Sequence, residues 1–312
     1  MENYQIILTS LIGFIASFIL LKKDFAFLPK DQGKALVEGG QESKGKTRGV
    51  GLVFIIVYII GFLILNKFDE KALLFSALLF VTMLTGYLDD ASDVPWEDYK
   101  KGILDFVIAI IYVYFFIKWN STTIYFFSSE LILNPIIFGI LAVILIWASI
   151  NVVNCSDGID GLATSLFIVS AASYLLIFPG QLGDYVGNTI LLIACLLAYL
   201  WFNVQPSTQL MGDAGSRALG FFLAALALKS QHPISFLILA LVFIVDGGLG
   251  LIKIFLKRFF KVSVLKNTRT PIHDELRSVK PKRGWSNTQI IQRFLIVQIV
   301  IAALFYLLII SL

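Results

Sequence analysis

Long apolar runs alternate along the chain with short polar loops. The runs fall at about 4–21, 50–65, 72–88, 102–117, 135–152, 162–178, 189–202, 217–229, 234–256 and 291–311. A helix that crosses the hydrocarbon core of a bilayer needs about 20 such residues. The pattern predicts an all-α integral membrane protein of about ten transmembrane helices, folded as one domain over 1–312. An even number of spans puts both termini on one side, and the loops then fall into two alternating sets. The set 22–49, 89–101, 153–161, 203–216 and 257–290, with Arg217 at its edge, holds 19 of the 25 Lys and Arg residues, and the other set holds four. By the positive-inside rule the first set is cytoplasmic and both termini lie outside. The start, Met1-Glu2-Asn3, has no basic region of the kind that precedes a cleaved signal, so the first run is expected to be retained. The outer loop 118–134 is rich in β-prone residues (Thr122-Thr123-Ile124-Tyr125-Phe126-Phe127) and is expected to form a small hairpin.

Composition agrees with this reading. The 312 residues are 58% hydrophobic and 15% charged, against roughly 45–50% and about 25% in soluble domains. Two cysteines, Cys155 and Cys195, are too few for a disulfide framework and lack metal-site spacing. The net charge of +4 follows from loop asymmetry and implies no nucleic-acid partner.

The unusual polar residues concentrate on the predicted cytoplasmic face. The third run ends in Leu88-Asp89-Asp90-Ala91-Ser92-Asp93, where adjacent carboxylates at an interface call for a cation or a basic partner. A solvated helix end is the plain alternative. In the segment 151–161, Asn151, Asn154, Asp157 and Asp160 recur every third residue and would form one polar stripe if helical. Carboxamides there could read a base or hydroxyls, and the carboxylates could hold a metal or a ribose; a capped helix end with an Asp-Gly turn is the alternative. Met211-Gly212-Asp213-Ala214-Gly215-Ser216 leads into the eighth run, where Asp213 would serve as an N-cap or the helix start would hold a phosphate. The basic loop carries Arg269, His273, Arg277, Lys280, Lys282 and Arg283, with an amphipathic piece expected around Leu256 to Leu265. His232, before Pro233 in an outer turn, is expected to have no function. Oxygen ligands bordered by cations suit Mg²⁺ and a phosphate-bearing substrate.

At these residues the chain resembles the polyprenyl-phosphate N-acetylhexosamine-1-phosphate transferase superfamily. The Asp-Asp pair corresponds to Asp89 and Asp90, the Asn-rich Asp-Gly-x-Asp-Gly segment to 151–161, and Gly-Asp-x-Gly-Ser to 212–216. Within it the chain is most similar to the phospho-N-acetylmuramoyl-pentapeptide transferase branch, through Pro29-Lys30-Asp31-Gln32-Gly33 with Glu38-Gly39, and through Gly284-Trp285-Ser286-Asn287-Thr288-Gln289 with Arg293-Phe294. It departs from that branch in four places. A Thr-Pro-Thr-Met-Gly-Gly run stands here as Thr47-Arg48-Gly49-Val50-Gly51-Leu52, a triple histidine as His273-Asp274-Glu275, a Lys after the Asp pair as Asp93, and a base-stacking Phe as Leu210. The departures bear on the substrate more than on the reaction.

The resemblance implies that undecaprenyl phosphate attacks the β-phosphorus of UDP-N-acetylmuramoyl-pentapeptide in a bacterial cytoplasmic membrane, releasing UMP. It assigns Asp213 to Mg²⁺, His273 to the diphosphate, and Asp89 to orienting the lipid phosphate with support from Asp90. Asn151, Asn154, Asp157, Asp160, Asn203, Leu210, Gly212, Ser216, Lys46 and Thr47 would hold the nucleotide or shape its site. A homodimer is compatible with it. Phosphate monoesters are largely ionised near neutral pH, so direct attack is expected rather than an aspartyl intermediate. Asp246, followed by Gly247-Gly248 inside the ninth run, is expected either to kink that helix beside a lipid groove or to pack it, and Asp105 is a second charge inside a run. The competing readings are a transferase using UDP-N-acetylglucosamine or another UDP-sugar, and a transporter. A transporter would carry its carboxylates near the midplane, whereas these cluster at one face.

Overall fold

The fold is known from a computed structural model, which describes residues 3–33, 43–127, 129–278 and 284–311. Helices account for nearly every predicted run: α1 (Asn3–Leu21), α2 (Gly51–Leu65), α3 (Glu70–Asp90), α4 (Asp98–Trp119), α5 (Pro135–Cys155), α6 (Leu162–Ile177), α7 (Tyr185–Asn203) and α8 (Gly212–Lys229). Later come α9 (Leu249–Phe259), the short α10 (Ile272–Arg277) and α11 (Asn287–Ile310). Local chemistry sets several starts. The Asp69 carboxylate accepts the Ala72 amide at α3, Asn134 caps α5 ahead of Pro135, and Ser286 and Gln289 form a reciprocal capping box at α11. The expected hairpin is present as β1 (Thr123–Phe126) paired antiparallel with β2 (Ser129–Ile132).

Six helices among the described residues are long and apolar enough to cross a membrane, and seven if the bent ninth run counts as one span. The remaining runs are short or charged. The helices α2 and α6 have 15 and 16 residues, and α8 carries Asp213, Arg217 and Lys229. The helix α8 tolerates those charges because it is the centre of the bundle. It is buried from Gly212 through Leu228, between α3 and α5 and against α2 and α6, and so presents no face to lipid. Around it, α1 packs on α7, α4 on α5 and α11 on α6. The outward faces are apolar, as with Ile7, Leu8, Leu11 and Ile15 of α1 and Ile296, Ile299 and Leu304 of α11, which is what a bilayer requires of a protein surface.

The ninth run is broken. Its first part, Pro233–Leu239, meets Leu241–Phe259 at 69°, and residues Ile244–Gly248 form a π-helical turn. Gln298 of α11 bridges the break: its side-chain carbonyl accepts the Val242 amide at 3.1 Å and its amide donates to the Ile238 carbonyl at 3.3 Å. Broken helices inside membranes persist where a neighbour satisfies the freed backbone groups in this way. The amphipathic piece expected at 256–265 is helical only to Phe259.

Candidate active site

The acidic motifs meet at the end of the bundle where α3 and α5 finish and α4 and α8 begin. Asp90 closes the N-terminus of α8 from outside that helix. Its two carboxylate oxygens accept the amides of Asp213 and Ala214, each at 3.1 Å. Gly212 takes a left-handed φ of +66°, and a Cβ there would stand 2.2 Å from the Asp90 carboxylate, so only glycine lets α3 approach this closely. Two of the amides at this helix start that could have held a phosphate are thus already taken by a carboxylate. Nor does Asp213 cap its own helix: the residue before α8 is Met211, and Asp213 lies in the first turn with its side chain directed to its neighbours.

Those neighbours are cations and an amide. Lys101 of α4 pairs with Asp89 at 2.5 Å and with Asp213 at 3.3 Å, and its ammonium sits between the two carboxylates. Arg48, just before α2, reaches Asp90 at 2.7 Å, Asp31 at 3.1 Å and Asp213 at 3.4 Å. Burial would lower the Arg48 pKa, but Asp90, Asp213 and Asp31 together raise it, and the guanidinium stays charged. Burial likewise pushes the Asp31 carboxyl up, yet the Ser43 hydroxyl, the Gly33 amide and Arg48 outweigh it and hold it below the ordinary range. Asp89 also accepts the Trp96 amide at 2.7 Å. Asn154 of α5 donates to Asp213 at 3.2 Å and accepts from Ser216, whose hydroxyl also reaches the Gly212 carbonyl.

A second group lies one helical turn beyond Asn154. His273 of α10 is buried, with its amide and its Nδ1 both directed at Asp246 at 2.8 to 3.0 Å. The opposite nitrogen, Nε2, faces Gly158, where a Cβ would lie 2.2 Å away. Asp246 therefore orients the histidine from the π-turn, a role that neither expectation for it included. Single π-turns of this kind occur frequently at functional sites.

A third group joins the loops. Asp160 accepts Lys46 at 3.2 Å and the Ser207 amide at 3.0 Å, and Lys46 also reaches the Ser207 hydroxyl. Asn203 clamps two loops by accepting the Gly161 amide and donating to the Gln209 carbonyl. Thr47 and Leu210 meet through their backbones, and Lys30 donates to the Thr47 hydroxyl at 2.7 Å. Asn151 donates to the Trp147 carbonyl of its own helix. The expected polar stripe is helical only in part: α5 ends at Cys155, and Asp157 and Asp160 lie in the turns that follow, before Gly161 takes a left-handed φ of +80°. Glu38, Gly39, Lys280, Lys282 and Arg283 lie outside the described residues.

No cluster of three or more His, Cys, Asp or Glu side chains arranged around a common cation position occurs among the described residues. The donors at Asp213 nonetheless fit Mg²⁺, which takes one or two carboxylates with substrate phosphates and waters. Its contacts to Asn154, Lys101 and Arg48 lie at 3.2, 3.3 and 3.4 Å, and the two cations among them hold the place that a metal would take. Arg48 and Lys101 were visible in the sequence only as a motif departure and as positive-inside charge. Their signal was position, on the predicted cytoplasmic loop set that also carries the acidic motifs.

The amino-acid sequence has counterparts among known proteins. Residues 72–231 match the model of glycosyl transferase family 4. The phospho-N-acetylmuramoyl-pentapeptide-transferase of Treponema pallidum is 37% identical over 308 residues, covering 92% of this chain and 84% of the relative. The enzymes of the same name from Dictyoglomus turgidum and Campylobacter jejuni are 30% and 33% identical, over 95% and 78% of this chain and 95% and 75% of theirs.

Proposed function

We propose, because this chain belongs to glycosyl transferase family 4 and to the phospho-N-acetylmuramoyl-pentapeptide transferases, that it transfers phospho-N-acetylmuramoyl-pentapeptide from UDP to undecaprenyl phosphate. A phosphate oxygen of the lipid attacks the β-phosphorus of the donor, the bond to the bridging oxygen breaks, and UMP departs with that electron pair. The chain would cross the bacterial cytoplasmic membrane ten times, with both termini outside and the site on the cytoplasmic face. The 19 to 4 division of basic residues supports that orientation.

The observation that carries this reading is the meeting of Asp89, Lys101 and Asp213, with contacts of 2.5 and 3.3 Å, beneath the Asp90 cap. Phosphoryl transfer needs positioning and charge compensation more than covalent chemistry, and this cluster supplies fixed charges of both signs. Asp213 would hold Mg²⁺, which when bound neutralises charge on the diphosphate. Asp89 orients the lipid phosphate, and His273, held by Asp246, directs Nε2 toward the diphosphate beside Gly158. Lys46 and Asp160 with Asn203 shape the nucleotide side. No general base is required, because the attacking phosphate is already ionised.

The test is a donor comparison. Purified protein in detergent, given undecaprenyl phosphate and Mg²⁺, should release UMP from UDP-N-acetylmuramoyl-pentapeptide and much less from UDP-N-acetylglucosamine. The reverse preference would reject the muramoyl assignment and leave the phosphotransfer chemistry in place.

A further inference from the structure

The helices α4 and α8 start at the same end of the bundle and run inward together, joined by two ion pairs of opposite polarity one turn apart. The shallow rung is Lys101 of α4 on Asp213 of α8, at 3.3 Å. The deep rung is Asp105 of α4 on Arg217 of α8, at 2.5 Å, with each side chain 1% exposed. In both helices the spacing is four residues, so the two rungs lie on one face of each helix. The charges invert from rung to rung: cation on α4 above, cation on α8 below.

The deep rung is expensive. The Nη2 of Arg217 donates to Asp105, while Nε and Nη1 are buried and have no hydrogen-bond partner among the described residues. Buried charge and unmet donors both cost stability, and apolar residues of similar volume commonly replace a buried ion pair without loss. Local violations of this kind gather at functional sites. What the deep rung does that an apolar contact does not is fix register. An apolar contact tolerates sliding or rotation of one helix against the other, whereas an ion pair at 2.5 Å fixes one residue opposite one residue.

We propose that Arg217 and Asp105 are positioning residues. Their ion pair locks α4 to α8 in the register that holds the Lys101 ammonium between Asp89 and Asp213, and keeps that register when Lys101 exchanges partners as an anionic substrate arrives. The shallow rung can exchange because it is partly exposed, at 22% for Lys101, and its contact with Asp213 is long. The inference rests on the phosphotransferase reading for what Lys101 serves, though not for where Lys101 is held.

The experiment uses the full chain in detergent and measures acetylation of Lys101 against its neighbour Lys100, by mass spectrometry at short reagent exposure. Lys100 lies over the Trp96 ring and serves as an internal standard. In D105L/R217L, which removes both charges together, the Lys101 to Lys100 ratio should rise about threefold or more as protection is lost. UMP release should fall about tenfold in kcat with KM for the donor little changed, because orientation rather than ground-state binding is lost. R217K, which keeps the cation, should restore most of both. If the double variant does not fold, D105N/R217Q takes the same measurements. An unchanged acetylation ratio, with kcat falling only as far as the folded fraction falls, would overturn the proposal. A raised ratio in a protein whose wild type releases no UMP would uphold the positioning role and reject the proposed function.

Discussion

The carboxylate of Asp90 accepts the backbone amide of Asp213 at 3.1 Å, so one member of the acidic pair at the end of α3 acts as the missing cap of another helix. Adjacent aspartates thereby have different work: Asp90 closes the start of α8, whereas Asp89, also buried, faces Lys101. Replacing Asp90 by Ala removes a buried partner of Arg48 and an N-cap at once, and should cost roughly 3 kcal/mol or more. Replacing Asp89 by Asn keeps an acceptor for the Trp96 amide and leaves Lys101 its pair with Asp213, so it should destabilise less than the Asp90 change and lower turnover about a hundredfold or more. Melting curves in detergent beside UMP-release rates check the contrast, and equal destabilisation by the two would contradict it.

Asp213→Asn keeps the shape and the contact from Asn154 and removes the negative charge. Turnover should fall by about two to three orders of magnitude, and part of the loss should be recovered by raising Mg²⁺. Near-normal turnover at unchanged Mg²⁺ would reduce Asp213 to a structural residue of the first turn of α8.

His273 and Asp246 act through one imidazole, so their losses should not add. Each single change, His273→Ala and Asp246→Ala, should lower kcat about a hundredfold, and the double variant should be no worse than about twofold below the singles. Multiplicative losses in the double-mutant cycle would separate the two side chains.

Topology is open to labelling. Cysteines placed at Lys44 and Ser92 should react with an impermeant reagent only from the cytoplasmic side, and one at Gln181 only from outside. Reaction of Lys44 and Gln181 positions from the same side would remove the basis for a single cytoplasmic site.

The sequence showed helices well because lipid-facing and core-facing residues are both apolar, and runs of them need no knowledge of neighbours. The charged motifs were also legible, since carboxylates such as Asp89 and Asp213 at span ends are costly and few. What spacing within one helix could not reveal was which ends abut. Asp246 and His273 are 27 residues apart and meet only because the chain turns back through a loop. Arg48 and Lys101 looked like ordinary positive-inside charge. The polar stripe on 151–161 assumed a helix that continued, whereas α5 ends at Cys155 and the chain turns from Ser156 onward. Asn203 was read as a nucleotide contact or a shaper of its site, and its side chain joins the backbones of Gly161 and Gln209, a use of a carboxamide that composition alone does not reveal.

The π-turn at Ile244–Gly248 sets the angle at which the ninth run delivers Asp246. A π-turn holds one residue more than the α-helical turn it replaces, and each residue of an α-helix turns the chain by about 100°. Deleting any one residue of this turn would therefore act as a rotation: the segment would straighten into ordinary helix and swing the carboxylate out of reach of the imidazole. Related chains should thus hold the residue count of this stretch constant and keep Asp246 and the tightly packed Gly247 while its other side chains vary, and an alignment gap here would mark a protein whose histidine is aimed by some other means.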